Sequence, residues 1–182
     1  SIPNAIVSAP SNERELKNLM FTALHSGTGP FIIRYPRGTG EGVEWKDSPF
    51  EEYPIGKAET LCEGDRIAIV AIGPCANRAL EAAGAFPGRV GVYNFRFLKP
   101  LDTEMLDAIA SRYSQIITVE DGCIKGGLFG AVTEYMAEKS CRIGIDAIGV
   151  GDVFVHQGRQ SDQRHEAGLD VEGISKKIKK FL

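Results

Sequence analysis

The stretch Ile116–Met136, IITVEDGCIKGGLFGAVTEYM, decides the fold class. Ile116–Val119 is a short β-branched run, the composition of a strand buried on both faces. Glu120 and Asp121 close it at its carboxyl end, and Gly122, Gly126 and Gly127 permit a turn that side chains would strain. From Leu128 the period changes. Leu128, Ala131, Val132, Tyr135 and Met136 fall at the spacing of a helical apolar stripe. Strand, glycine turn and helix make half of a βαβ unit, and the turn lies where ligands of open α/β sheets gather. No phosphate motif is spelled there: the glycines do not fit G-x-G-x-x-G, and Lys125 is not in a G-x-x-x-x-G-K-[ST] loop. Two carboxylates at its mouth repel phosphate. The Gly122–Gly130 turn therefore reads first as a structural turn or subunit contact, and second as a ligand site.

The same alternation extends in both directions. Downstream come a strand at Ile143–Val150, an irregular segment Gly151–Gly168, and a last helix with Val171, Ile174, Ile178 and Phe181 inward. Upstream, Ile55–Leu61 and Arg66–Ile72 flank Cys62-Glu63-Gly64-Asp65, a hairpin signal that makes the first strand antiparallel and an edge. A helix over about 76–86 turns Ala79, Leu80 and Ala83 inward, and Val90–Leu98 reads as a strand. Asp102 caps the next helix, whose core face is Leu106, Ile109, Ala110 and Tyr113. Residues 55–182 thus predict a three-layer αβα domain whose five-stranded sheet is mostly parallel, with one antiparallel edge strand.

Residues 39–54 are polar, acidic and aperiodic, and read as a linker. Before them, Ala5–Ala9 and Phe31–Tyr35 read as strands around a helix with Leu16, Leu19, Met20, Ala23 and Leu24 inward. Asn12 and Glu15 have capping-box spacing, and His25, Ser26, Gly27, Thr28 and Gly29 end the helix. This βαβ unit of residues 1–38 is too small to hold a core. It reads as the tail of a domain, and the absence of an initiating Met points the same way, to a fragment of something longer.

Composition narrows the function classes. A formal charge of −3 over 182 residues gives no basic field for nucleic acid or an anionic membrane. Lys176, Lys177, Lys179 and Lys180 sit at the end of the terminal helix, where they complement its dipole. No run of roughly 18 apolar residues occurs. Cys62, Cys75, Cys123 and Cys141 have no CxxC spacing, so zinc is not expected, and reduced thiols in a cytosolic protein are the default.

Chemistry has few candidates. Arg34 and Arg37 bracket Tyr35-Pro36 at a strand end, where Pro36 and Gly38 fix the turn. A guanidinium held there suits a phosphate or carboxylate; the alternative is an ion pair with a linker carboxylate. Cys123 lies at a helix start and would need His156 or His165 as base, but Glu120 and Asp121 disfavour its thiolate. His156-Gln157-Gly158 follows the last strand, either as a loop histidine serving a site or as an exposed one. No self-sufficient catalytic set is present.

Several segments together resemble one family. IRYPRG (Ile33–Gly38), NFRFLKPLD (Asn94–Asp102), TVED (Thr118–Asp121) with Gly126-Gly127, DVFVHQG (Asp152–Gly158) and Gly168-Leu169-Asp170 with its lysine-rich helix occur in order. They look like the C-terminal part of the 1-deoxy-D-xylulose-5-phosphate synthases, which are transketolase-like enzymes. The resemblance implies that residues 1–38 end the pyrimidine-binding domain and that residues 55–182 are a transketolase C-terminal domain. It further implies a cytoplasmic homodimer that uses thiamine diphosphate and Mg2+. That enzyme condenses pyruvate with glyceraldehyde 3-phosphate, releasing carbon dioxide, for isoprenoid, thiamine and pyridoxal phosphate synthesis. By the same resemblance Arg37 contacts the phosphate of the aldehyde, and Arg34 is structural. The family's GDG…NN cofactor signature and its activating glutamate have no counterpart here. The chain alone is therefore expected to hold no catalytic, cofactor-binding or metal-binding residue, to bind neither cofactor nor metal, and to be inactive. Two alternatives stay open: the C-terminal half of another thiamine-diphosphate enzyme, such as transketolase or a 2-oxoacid dehydrogenase β chain, and a stand-alone α/β binding module.

Overall fold

The computed structural model describes residues 2–27 and 29–182. Strand β1 (Ile6–Ser8) pairs in parallel with β2 (Phe31–Ile33) through helix α1 (Glu13–His25), the βαβ unit expected of residues 1–38. Asn12 caps α1, its side chain accepting from Glu15 N at 3.0 Å. Of the residues expected to end this helix, Thr28 lies outside the described residues.

The second sheet follows the order β3-β5-β4-β7-β8, built from β3 (Glu59–Cys62), β4 (Ile67–Ala71), β5 (Val90–Asn94), β7 (Gln115–Cys123) and β8 (Gly144–Val150). Four of these strands run parallel, and β3 is the antiparallel edge. Helices α2 (Cys75–Ala83) and α6 (Val171–Lys179) cover one face; α3 (Thr103–Arg112) and α4 (Leu128–Glu138) cover the other. The architecture is the expected three-layer αβα fold.

Five expectations need correction. The hairpin between β3 and β4 does not form, because β4 is buried along its whole length and its two edges are filled in parallel by β5 and β7. The chain instead crosses the start of β5, where a side chain on Gly64 would collide with the Val90–Gly91 backbone, and β3 pairs with β5. Val90–Leu98 is also not one strand. After Asn94 the chain leaves the large sheet, and β6 (Phe97–Lys99) pairs antiparallel with β1, joining the two sheets. The segment Gly151–Gly168 contains a helix, α5 (Gln160–Glu166), whose QSDQRHE sequence carries no apolar stripe to reveal it.

On α1, Met20 and Leu24 are 56% and 83% exposed, while Glu15, Asn18, Leu19 and Thr22 are buried. The polar members of that face have partners: Asn18 Nδ2 donates to Tyr53 Oη at 3.1 Å, and Thr22 Oγ1 accepts from Tyr53 N at 2.9 Å. Burial of polar groups is tolerated where they are hydrogen-bonded. Leu80 and Phe181, expected inward, also lie at the surface.

The aperiodic segment 39–54 contains no regular element and is strapped to α1. Arg14 donates to the Glu44 carbonyl at 2.9 and 2.6 Å, and Lys17 Nζ donates to the Trp45 carbonyl at 2.8 Å. At the junction of the two sheets, Arg96 pairs with Glu15 and with Glu59, and stacks 4.3 Å over the Tyr53 ring.

Candidate functional site

The strand end carrying Arg34–Gly38 lies beside the carboxyl end of β7. Arg34 N donates to the Ser8 carbonyl at 2.8 Å, continuing the β1–β2 pairing past Ile33, and Arg34 Nη2 donates to the Asp121 carbonyl. That bond ties the small sheet to the large one and makes Arg34 a tether.

Arg37 is left at the surface of a cleft of about 260 Å3, whose lining includes Ser11, Glu13, Tyr35, Glu41, Gln160 and Arg164. Among the described residues no carboxylate lies within 4.0 Å of the Arg37 or Arg164 guanidinium. The linker ion pair offered as an alternative for Arg37 is not formed. The two carboxylates of the cleft are engaged elsewhere. Glu41 faces Arg78 at 3.9 Å, and Glu13 accepts from Gly42 N at 2.8 Å, a bond that lowers its pKa from the ordinary glutamate value. The second Glu13 oxygen is buried without a partner.

The backbone of Arg37 is held from the other side of the cleft. Gln160 Nε2 donates to the Arg37 carbonyl, and Gln160 Oε1 accepts from Arg164 Nη2 at 3.2 Å. Gly38 makes this approach possible: its φ is +148°, and a Cβ there would lie 2.8 Å from Gln160 Oε1. Sequence reasoning missed Gln160 and Arg164, because they sit on a short polar helix that no periodicity announces.

The Gly122–Gly130 turn has an internal occupant. Glu120, 5% exposed, accepts from Leu128 N at 2.9 Å and from Phe129 N at 3.0 Å, the free amides at the start of α4. Burial raises its pKa, while these two bonds and the nearby Arg34 oppose the rise. A side chain at Gly127 would collide with this carboxylate, so the turn is built to admit it. The anion site of this helix is thus filled by the protein, which favours the structural reading of the turn.

Cys123 is exposed, and among the described residues it makes no hydrogen bond to a histidine. His165 Nδ1 lies 2.6 Å from Asp170, and His156 Nδ1 lies 3.7 Å from Glu166. The cysteine–histidine pair therefore does not assemble. His156 is on a solvent-facing loop in which Phe154 is fully exposed. Of the terminal lysines, Lys177 pairs with Asp146 at 2.8 Å.

Comparison with known proteins identifies relatives of the whole chain. The family model "Transketolase, C-terminal domain" matches residues 56–174. Over 184 residues the chain is 45% identical to a 1-deoxy-D-xylulose-5-phosphate synthase of Phocaeicola vulgatus, covering 99% of this chain and 29% of that protein. It is likewise 45% identical over 183 residues to one of Bacteroides fragilis, covering 98% and 28%. The chain thus spans less than a third of the length of the curated relatives it matches. Among solved structures, a split-gene transketolase, described as an inactive beta4 tetramer, superposes with a TM-score of 0.86 at 30% identity, covering all of this chain and 59% of that one. These matches bear out the resemblance carried by the sequence motifs, and the chain belongs to the transketolase C-terminal domain family.

Proposed function

We propose that this chain is the C-terminal portion of a 1-deoxy-D-xylulose-5-phosphate synthase, joining pyruvate and glyceraldehyde 3-phosphate with loss of carbon dioxide. Residues 1–38 would complete the pyrimidine-binding domain, 39–54 form a linker, and 55–182 form the C-terminal domain. Isoprenoid, thiamine and pyridoxal phosphate synthesis would draw on its product. We further propose a homodimer working in the cytoplasm.

Arg37 carries this reading. Among the described residues no carboxylate lies within ion-pair distance of it, it follows the end of β2 on a cleft whose Glu13 and Glu41 are each engaged elsewhere through one oxygen, and a phosphate suits its fork. Its role here is to bind and orient the phosphorylated aldehyde. Orientation raises rate by converting an encounter into a near-unimolecular step.

Among the described residues no three His, Cys, Asp or Glu side chains converge as a metal site would require. This donor set does not fit a metal-bound diphosphate. Thiamine diphosphate and Mg2+ would be held by preceding domains, and the 182-residue chain alone would be inactive.

The test is to express the complete reading frame that contains this chain and supply pyruvate and glyceraldehyde 3-phosphate with thiamine diphosphate and Mg2+. Stoichiometric carbon dioxide and 1-deoxy-D-xylulose 5-phosphate are expected. Transfer of a ketol group between sugar phosphates, with no pyruvate consumed, would instead identify a transketolase.

A further inference from the structure

We propose that Arg164 and Gln160 complete the phosphate site: Arg164 supplies a second guanidinium to the phosphate monoester, and Gln160 positions Arg37. This rests on the reading of Arg37 as the phosphate-binding arginine.

Three observations carry it, together with the charge of the ligand. Arg37 and Arg164 line the same cleft, and among the described residues neither has a carboxylate within ion-pair distance. A phosphate monoester near neutral pH carries close to two negative charges, and two guanidiniums meet that charge where one does not. Arg164 is half-buried, and among the described residues the side chain it bonds is the neutral Gln160, which leaves its charge available to a ligand anion. Finally, Gln160 donates to the backbone carbonyl of Arg37 and accepts from Nη2 of Arg164, so one side chain ties the Arg37 backbone to the Arg164 guanidinium.

Chain connectivity gives this unit a consequence. Arg37 belongs to the strand end of the small sheet, and Gln160 and Arg164 belong to α5, which follows the last strand of the large one. The phosphate site therefore bridges the two sheets, and the C-terminal domain takes part in choosing a phosphorylated over an unphosphorylated aldehyde. In this account Gln160 is a positioning residue and Arg164 a binding one.

The test uses the full-length enzyme and two aldehydes, glyceraldehyde 3-phosphate and unphosphorylated glyceraldehyde. Arg164→Ala is expected to raise KM for the phosphorylated aldehyde about ten-fold to a hundred-fold, the range of one charge-assisted hydrogen bond. KM for unphosphorylated glyceraldehyde and for pyruvate should stay within about two-fold. Arg164→Lys should restore part of the loss by returning the charge, and Gln160→Ala should raise the same KM by a smaller factor. If the alanine variant does not fold, Arg164→Gln keeps the packing of the side-chain stem and carries the test. Should Arg164 variants affect both aldehydes equally, or neither, while Arg37→Ala still lowers the preference for phosphate, the proposal fails and the reading of Arg37 stands. Should Arg37→Ala leave the preference intact, the reading of Arg37 fails and this proposal falls with it.

Discussion

Gln160 donates its side-chain amide hydrogen to the backbone carbonyl of Arg37, a contact between residues 123 positions apart. It holds the backbone of the RYPRG segment from the far side of the cleft, so the Arg37 main chain does not depend on its own strand alone for placement.

Gly38 is where that contact is most easily broken. With φ at +148° and Gln160 2.8 Å from where a Cβ would sit, Gly38→Ala adds backbone strain and pushes the Gln160 amide off the Arg37 carbonyl. Urea denaturation of the 182-residue chain should show a loss of about 1–3 kcal/mol. A change below about 0.5 kcal/mol, the size of an ordinary surface substitution, would contradict it.

The Glu15–Arg96 pair is the main polar joint between α1 and the large sheet. Glu15 is 3% exposed and also accepts from Asn94 Nδ2 at 3.0 Å. Removing one partner of a buried pair leaves an uncompensated charge, so Arg96→Ala should cost about 3–5 kcal/mol. A double-mutant cycle with Glu15→Gln checks the coupling, and additive losses would show that the two side chains act independently.

His165 should titrate above the ordinary histidine value. The Asp170 hydrogen bond is the main cause, and the aspartate's charge adds to it. Because the folded pKa is raised, the contribution to stability is complete below the unfolded pKa and is lost as pH rises through the folded one. An NMR titration of the imidazole reads this directly. Asp170→Asn, which keeps a good N-cap for α6, should bring the midpoint back down; an unchanged midpoint would remove Asp170 as the cause.

The thiols should react in order of access. Cys75 is fully buried, and burial pushes its thiol up to about 11, whereas Cys123 is exposed. Iodoacetamide on the native chain, followed by peptide mass mapping, should label Cys123 first and leave Cys75 unmodified. Early labelling of Cys75 would mean that α2 opens readily.

Much of this structure was legible because its strands are two-sided apolar runs separated by helices with clear stripes, as at Ile116–Val119 and Leu128–Met136. Asp102 and Asn12 announced their caps because a side-chain oxygen before a free amide has few other uses. What escaped depends on partners distant in sequence. Glu15, Asn18 and Thr22 face inward only because Arg96, Asn94 and Tyr53 meet them there, and α1's apolar stripe misled accordingly. The β3–β4 turn signal was sound locally, yet β4 had no free edge to offer. At the cleft, Arg37 could be singled out from the Tyr35-Pro36 segment that follows β2. Gln160 and Arg164 could not, since a seven-residue polar helix carries no period and its bond to Arg37 is purely tertiary.

The most direct measurement is the aldehyde preference of the full-length enzyme carrying Arg37→Ala. Steady-state kinetics with glyceraldehyde 3-phosphate and with unphosphorylated glyceraldehyde should show the phosphate preference reduced by about ten-fold to a hundred-fold, with KM for pyruvate unchanged. An intact preference would mean that Arg37 does not bind the phosphate, and the functional site would have to be sought elsewhere in the chain.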